Sequence, residues 1–193
     1  MKLALLIFYI STVAWVFPIF RQYKSDLFYF FLFLGLCDPL SIIAGKVLSL
    51  PGETLAVIFA PILFYTINVD RKKPFKISKL EIFVFVLAYS LIFLIDNLNI
   101  IILLIHTLVA IRAIYRIIID LHYKQKINII RVVLAFYMIT SVASHVVFLN
   151  EEYQGWILFY TNLAFQVLIA IFFSIFSENN PKMNIQLVQS AEN

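Results

Sequence analysis

Long apolar segments alternate with short polar ones along almost the whole chain. Each apolar segment is close to the length of about 20 residues that an α-helix needs to cross the hydrocarbon core of a membrane. Polar residues, Pro and Gly mark the breaks between the segments. The pattern therefore predicts seven transmembrane helices, at about residues 3–20, 27–48, 52–69, 79–95, 98–119, 128–149 and 153–177.

The composition is typical of a chain that is surrounded by lipid. Of the 193 residues, 63% are hydrophobic and 13% are charged, and the mean hydropathy is +0.95. A soluble domain has an apolar fraction of about one half. We expect an all-α integral membrane protein with one seven-helix transmembrane domain at residues 1–177. A short polar tail should follow at residues 178–193, flexible when no partner is bound.

The distribution of Lys and Arg predicts the orientation of the helices. With the N-terminus outside, thirteen of the fifteen basic residues lie on the cytoplasmic side, and only Lys2 and Lys46 lie on the other. Basic loops stay on the cytoplasmic side of a membrane. We therefore expect the N-terminus outside and the C-terminus in the cytoplasm, in the cell membrane, or the cytoplasmic membrane if the source is bacterial. The net charge of +4 follows from this topology, so we expect no binding to nucleic acid.

Two groups of basic residues are candidates for binding membrane lipids or a partner protein. Arg71, Lys72 and Lys73 follow one another between the third and fourth helices, and Arg112 and Arg116 lie one turn apart near the cytoplasmic end of the fifth. Clusters of this kind bind anionic headgroups. The alternative is that these side chains only fix the topology and reach outward to the membrane surface.

Polar residues inside the predicted spans are candidates for a ligand-binding site, because such groups are costly in lipid. Asp38 lies about halfway along the second helix, too deep to reach either surface. His106, His145, Asn162 and Gln166 lie at similar or more external depths on the last three helices. We expect these five side chains to share a pocket in the outer half of the bundle. The alternative for each is a hydrogen bond that only holds two helices together.

These features favour a sensor or receptor-like subunit with an outward-facing polar pocket. Its own cytoplasmic parts are short, so a partner protein would carry the signal. The helix count alone resembles rhodopsins and other seven-helix receptors, and residues 153–177 hold no Lys that could bind retinal. Two alternatives remain: a hydrolase within the membrane that uses Asp38, His106 and His145, with or without a metal, and a transporter of small solutes. No motif identifies a cofactor, a metal or a catalytic residue.

Overall fold

The computed structural model describes residues 2–69, 76–149 and 155–187. It is mostly helical, at 81%, and these ranges contain seven α-helices. The helices are α1 (Lys2–Arg21), α2 (Phe28–Leu48), α3 (Gly52–Asn68), α4 (Lys79–Leu91), α5 (Leu98–Lys124), α6 (Ile129–Leu149) and α7 (Gly155–Ile175). Two short strands, β1 (Lys126–Asn128) and β2 (Asn184–Gln186), pair antiparallel and place Ile127 opposite Ile185.

The helix count agrees with the hydropathy pattern, and most ends lie within two residues of the predicted ones. The two larger differences concern α4, which ends at Leu91 and continues as a turn, and α5, which runs on to Lys124. Among the described residues, three helical stretches are long and apolar enough to cross a membrane: Phe28–Leu48, Leu98–Lys124 and Ile129–Val147. These stretches indicate a membrane protein.

Six of the helices form a closed ring. Their order around it is α1, α2, α3, α5, α6 and α7, and α7 packs again against α1. Helix α4 lies outside this ring against α3, where the Tyr89 hydroxyl donates a hydrogen bond of 3.1 Å to the Ile58 carbonyl. The other face of α4, with Ile82, Phe83 and Val86, is exposed. Because α4 is displaced, α3 packs directly against α5.

Helices α1 and α2 come into close backbone contact at a glycine. A Cβ atom added to Gly35 would lie 2.5 Å from the backbone oxygen of Trp15 and 2.8 Å from Cδ1 of Ile19. No side chain fits in that space. Small residues at helix interfaces allow such close backbone contact in membranes, where association depends on van der Waals packing. Gly35 therefore sets the distance between α1 and α2.

The helix ends on one side of the bundle meet at a group of ion pairs, which we name the ion-pair junction: Asp26, Asp120, Lys124, Arg131 and Glu178. The Arg131 guanidinium contacts all three acidic side chains, with its Nε 2.7 Å from Oε1 of Glu178. Asp120 and Glu178 are buried. The junction joins the α1–α2 loop, the end of α5, the start of α6 and the tail.

The first part of the tail is fixed to this junction. The buried Gln22 side chain accepts a hydrogen bond from the Glu178 backbone at 3.1 Å and donates to the carbonyls of Phe173 and Phe176. The Leu187 backbone donates to the carbonyl of Gln125, next to the paired strands. Residues 178–187 are therefore hydrogen-bonded to the bundle, which the sequence did not predict, and the flexibility of the tail stays a prediction. Polar side chains at a helix end can form buried hydrogen bonds with each other, which hydropathy does not register. Residues 188–193 lie outside the described residues.

Replacing Gly35 by Ala should destabilise the protein, because the added methyl group would push α1 and α2 apart. Overpacking of this kind costs about 1–3 kcal/mol. Gly45→Ala on the same helix is the matched control, since its nearest neighbours lie 3.6 and 3.7 Å away. The control should change stability by less than about 1 kcal/mol, in the stabilising direction, because Ala favours helix over Gly. Unfolding midpoints in a mild detergent measure both effects, and equal midpoints for the two variants would contradict the packing at Gly35.

Replacing Arg131 by Met should destabilise the protein by about 3–5 kcal/mol, because two buried carboxylates lose their shared partner. Lys124→Met also removes a partner of Asp120, but the Lys124 side chain is 51% exposed, against 12% for Arg131. That variant should lose at most about 1 kcal/mol. The same unfolding measurement compares the two. A loss at Lys124 as large as the loss at Arg131 would show that the junction is not organised around Arg131.

Candidate functional site

A cavity of about 210 Å³ lies inside the ring of six helices. Each ring helix contributes to its wall, and α4 does not. The wall includes Trp15 from α1, Cys37 and Asp38 from α2, Ala60 from α3, His106 from α5, Tyr137, Ser141 and His145 from α6, and Gln166 from α7. The remaining lining residues are apolar, so a few polar groups face a mostly apolar space. This composition is typical of small-molecule sites.

The cavity contains four of the five polar residues that the sequence places in one pocket. Asp38, His106, His145 and Gln166 all line it. Asn162 lines a different groove, on the outside of the ring between α6 and α7. Residues four apart on a helix differ by about 40° in direction around the axis and by about 6 Å along it. The contact of α7 with α6 lies between Asn162 and Gln166, so the two side chains lie on different sides of that contact. The structure corrects the predicted grouping, and a ligand-binding role for Asn162 stays a prediction.

The two cavity histidines stack on each other. The ring centroids of His106 and His145 lie 4.7 Å apart with an angle of 28° between the planes. The Nδ1 atom of His106 is buried and has no hydrogen-bond partner in the described part of the chain. A buried polar atom without a partner costs about 1–3 kcal/mol. A ligand that supplies a hydrogen bond would remove this cost, so His106 Nδ1 is the strongest sign of a binding site here.

Asp38 faces the same cavity from α2 and is half-buried. Its Oδ2 lies 3.5 Å from the Thr12 hydroxyl, which also donates a shorter bond of 3.0 Å to the Phe8 carbonyl. The following residue, Pro39, cannot donate to the Gly35 carbonyl as a helical residue would. One weak contact leaves most of the hydrogen-bonding capacity of the carboxyl group for a molecule in the cavity.

Gln166 is held at the edge of the cavity by α1. Its Oε1 accepts a long hydrogen bond of 3.4 Å from the buried Ser11 hydroxyl. The Gln166 amide nitrogen can still donate a hydrogen bond. Gln166 thus links two helices, as the interhelical alternative for this residue predicts, and also provides a polar group to the cavity.

Sequence reasoning missed Tyr137. It precedes Ser141 and His145 by four and eight residues, a spacing that places all three on one face of α6. Its ring lies 5.0 Å from that of Trp15, which in turn lies 6.2 Å from Phe173. The spacing from His145 was the available signal, but a Tyr in an apolar segment resembles a packing residue.

The predicted basic candidates lie in different surroundings. Arg112 stacks over the ring of Tyr115 at 5.8 Å. Arg116 is half-buried and interacts electrostatically with Asp120, Glu178 and Arg131 of the ion-pair junction. Arg71, Lys72 and Lys73 lie outside the described residues. The sequence also missed the role of Arg131, which it counted only as a basic residue near a loop.

The chain matches no protein-family model, no curated protein and no solved structure. Within residues 2–69, 76–149 and 155–187, no three His, Cys, Asp or Glu side chains are grouped so that they could hold a metal ion. The cavity and its polar wall therefore carry the functional argument.

Proposed function

We propose that this chain is a seven-span membrane protein with its N-terminus outside, acting as a sensor or receptor-like subunit that binds a small ligand inside its helix ring. The observation that carries the proposal is the buried, unpartnered Nδ1 of His106, a residue that lines the cavity together with Asp38. Natural proteins keep few buried polar groups without partners, and those that remain need an explanation. A bound ligand supplies one.

The depth of the cavity supports a pocket in the outward half of the bundle. His106 follows the start of α5 by eight residues, or about 12 Å, and His145 precedes the end of α6 by four, or about 6 Å. Both helix ends lie opposite the end that carries the ion-pair junction and most of the basic residues. That basic end is the cytoplasmic one in the proposed orientation.

The base of the cavity supports binding rather than transport. Toward the basic end the ring is filled by buried aromatic side chains, and Phe31 and Phe173 pack with their ring centroids 4.8 Å apart. A path for a solute needs polar groups at successive depths through the full thickness of the membrane. A blind pocket is the arrangement expected of a sensor, whose helices respond to the ligand.

A partner protein is part of this proposal. The same helices α5, α6 and α7 that line the cavity reach the ion-pair junction, which also fixes the first part of the tail. A shift of these helices on ligand binding would therefore move charged groups at the cytoplasmic surface. A partner membrane or cytoplasmic protein would bind there, within the surrounding membrane lipids.

A hydrolase within the membrane is the second candidate. The observation in its favour is that one carboxyl group and two imidazoles line one cavity, the residue types that act as general acids and bases. In that reaction Asp38 or His106 would take a proton from water, and His145 would stay close to His106 as its stacking partner.

The orientation predicts the result of reporter fusions. After Asn193, a reporter that works in the cytoplasm should be active and one that works outside should be inactive. Between Asn150 and Tyr153, the two reporters should give the opposite result. The cause is the uneven distribution of basic residues. Alkaline phosphatase and green fluorescent protein, tested at both positions, measure the two sides. The reverse pair of results would overturn the proposed topology.

The variant Asp38→Asn should lose the ligand but keep the fold. An amide replaces the carboxyl group, and a hydrogen bond to a charged group is worth about 1 kcal/mol more than one to a neutral group, so retention should fall about fivefold. The full chain is purified in mild detergent, and small molecules released from it are measured by mass spectrometry. Asp96→Asn, at an exposed position before α5, is the matched control.

The wild type and the Asp96 variant should release the same molecule in equal amounts and unfold at the same midpoint. Asp38→Asn should keep the helical circular dichroism of the wild type, and its midpoint should fall only by the stabilisation that the bound ligand adds. If Asp38→Asn instead retains the molecule, while Asp38→Leu unfolds the bundle, Asp38 only holds helices together. If no molecule copurifies with any of the three proteins, the proposal that the cavity binds a ligand is overturned. Release of a cleaved product in an Asp38-dependent manner would favour the hydrolase.

A further inference from the structure

A second concavity lies on the outside of the ring, between α6 and α7. It has a volume of about 360 Å³, and its lining alternates apolar side chains, such as Phe136 and Phe165, with polar ones. The polar ones are Thr140, Ser144, Thr161 and Asn162. We call it the α6–α7 groove. In the proposed topology this groove faces the hydrocarbon of the outer half of the membrane, and its exposed lining is mostly apolar.

Helices α6 and α7 line both the groove and the central cavity. On α6, Ser144 lines the groove, and the next residue, His145, lines the cavity. On α7, Asn162 lines the groove, and Gln166, one turn later, lines the cavity. On both helices a polar residue of the groove is thus followed within one turn by a polar residue of the cavity. The rings of Phe136 and Phe165, 5.7 Å apart and nearly perpendicular, pack across the contact between the two helices.

Asn162 distinguishes the groove from an ordinary lipid-facing surface. The hydroxyls of Thr140 and Ser144 donate to carbonyls of their own helix, at 2.8 and 2.9 Å, so they need no further partner. The Asn162 side chain makes no hydrogen bond to the described residues, and it is half-exposed in the groove. An unpaired amide in an apolar medium costs several kcal/mol, about 4–8 by transfer to hydrocarbon. A polar group of a bound molecule would relieve that cost.

We propose that the ligand is a single-chain amphiphile that enters from the membrane through the α6–α7 groove. Its polar head passes Asn162 and Gln166 to reach Asp38 and His106, and its chain stays in the groove. This inference rests on the proposed function in one respect, that the cavity binds a ligand. The head is uncharged or cationic, because the cavity wall holds one carboxyl group and no Lys or Arg.

The single cysteine of the chain can be used to follow the route by which a molecule enters the cavity. Cys37 is the single cysteine, and it lines the central cavity beside Asp38. A thiol reagent can therefore modify the folded protein at one position only. Dodecyl methanethiosulfonate dissolves in the membrane and is itself a single-chain amphiphile, whereas trimethylammonioethyl methanethiosulfonate is cationic, is not repelled by the Asp38 carboxyl group, and stays in water.

The full-length protein in phosphatidylcholine vesicles is exposed to each reagent, with the water-soluble one on both sides of the membrane, and Cys37 modification is followed by intact mass. The dodecyl reagent should react at least about tenfold faster, a barrier difference of about 1.4 kcal/mol or more. Both reagents should react fully after unfolding in dodecyl sulfate, which controls for the reactivity of the thiol.

The variants Ser144→Phe and Ser174→Phe form a matched pair. Both serines line outward-facing grooves and donate to the carbonyl four residues earlier, Ser144 to Thr140 and Ser174 to Ala170. Ser144→Phe fills the α6–α7 groove and should slow the dodecyl reaction about tenfold or more. Ser174→Phe fills the groove between α1 and α7 and should leave the rate unchanged. Unfolding midpoints confirm that both variants are folded.

Three outcomes would overturn the inference. Equal or faster reaction with the water-soluble reagent would show entry from water, and the proposed function would still stand if the Asp38-dependent ligand is found. Equal slowing by both Phe variants would show that the α6–α7 groove is not the route. No reaction of folded Cys37 with either reagent would show a cavity closed to both phases.

Discussion

The structure depends on one constraint of the lipid environment: polar side chains within a span must find their partners inside the protein. Asp38, His106 and Gln166 lie on three different helices, and each would be costly if it faced lipid. The ring places all three toward a common interior. Helix α4 carries no Asp, Glu, Lys, Arg or His between Glu81 and its end at Leu91. It needs no place in the ring and packs on its outside.

The same constraint acts differently at the two levels of the bundle. At the basic end the charged groups are paired with each other, since Arg131 contacts Asp26, Asp120 and Glu178. In the cavity the polar groups are incompletely paired, and His106 Nδ1 has no partner among the described residues. A fully paired cluster stabilises the fold, whereas an incompletely paired one has capacity to bind something else. This contrast is why we assign structure to the junction and ligand binding to the cavity.

The sequence predicted the helices because a span leaves a strong hydropathy signal, and it predicted most of the pocket because depth follows from helix length. It did not predict which neighbour each helix meets, since neighbouring spans have nearly the same composition. Asn162 and Gln166 were therefore grouped together, although the boundary between α6 and α7 separates them. Gln22 and Glu178 could not be paired from the sequence, because 156 residues separate them and their hydrogen bond depends on the closed ring.

The histidine nuclear magnetic resonance spectrum tests the central claim, an incompletely paired polar cavity inside the ring. The chain has three histidines, and His122, exposed on the last turn of α5, is the internal reference. With selectively labelled histidine in a membrane mimetic, we predict a nuclear Overhauser effect between the rings of His106 and His145. We also predict that Asp38→Asn shifts the His106 resonances and leaves those of His122 unchanged. The absence of the ring contact, together with His106 resonances that do not respond to Asp38→Asn, would contradict the account.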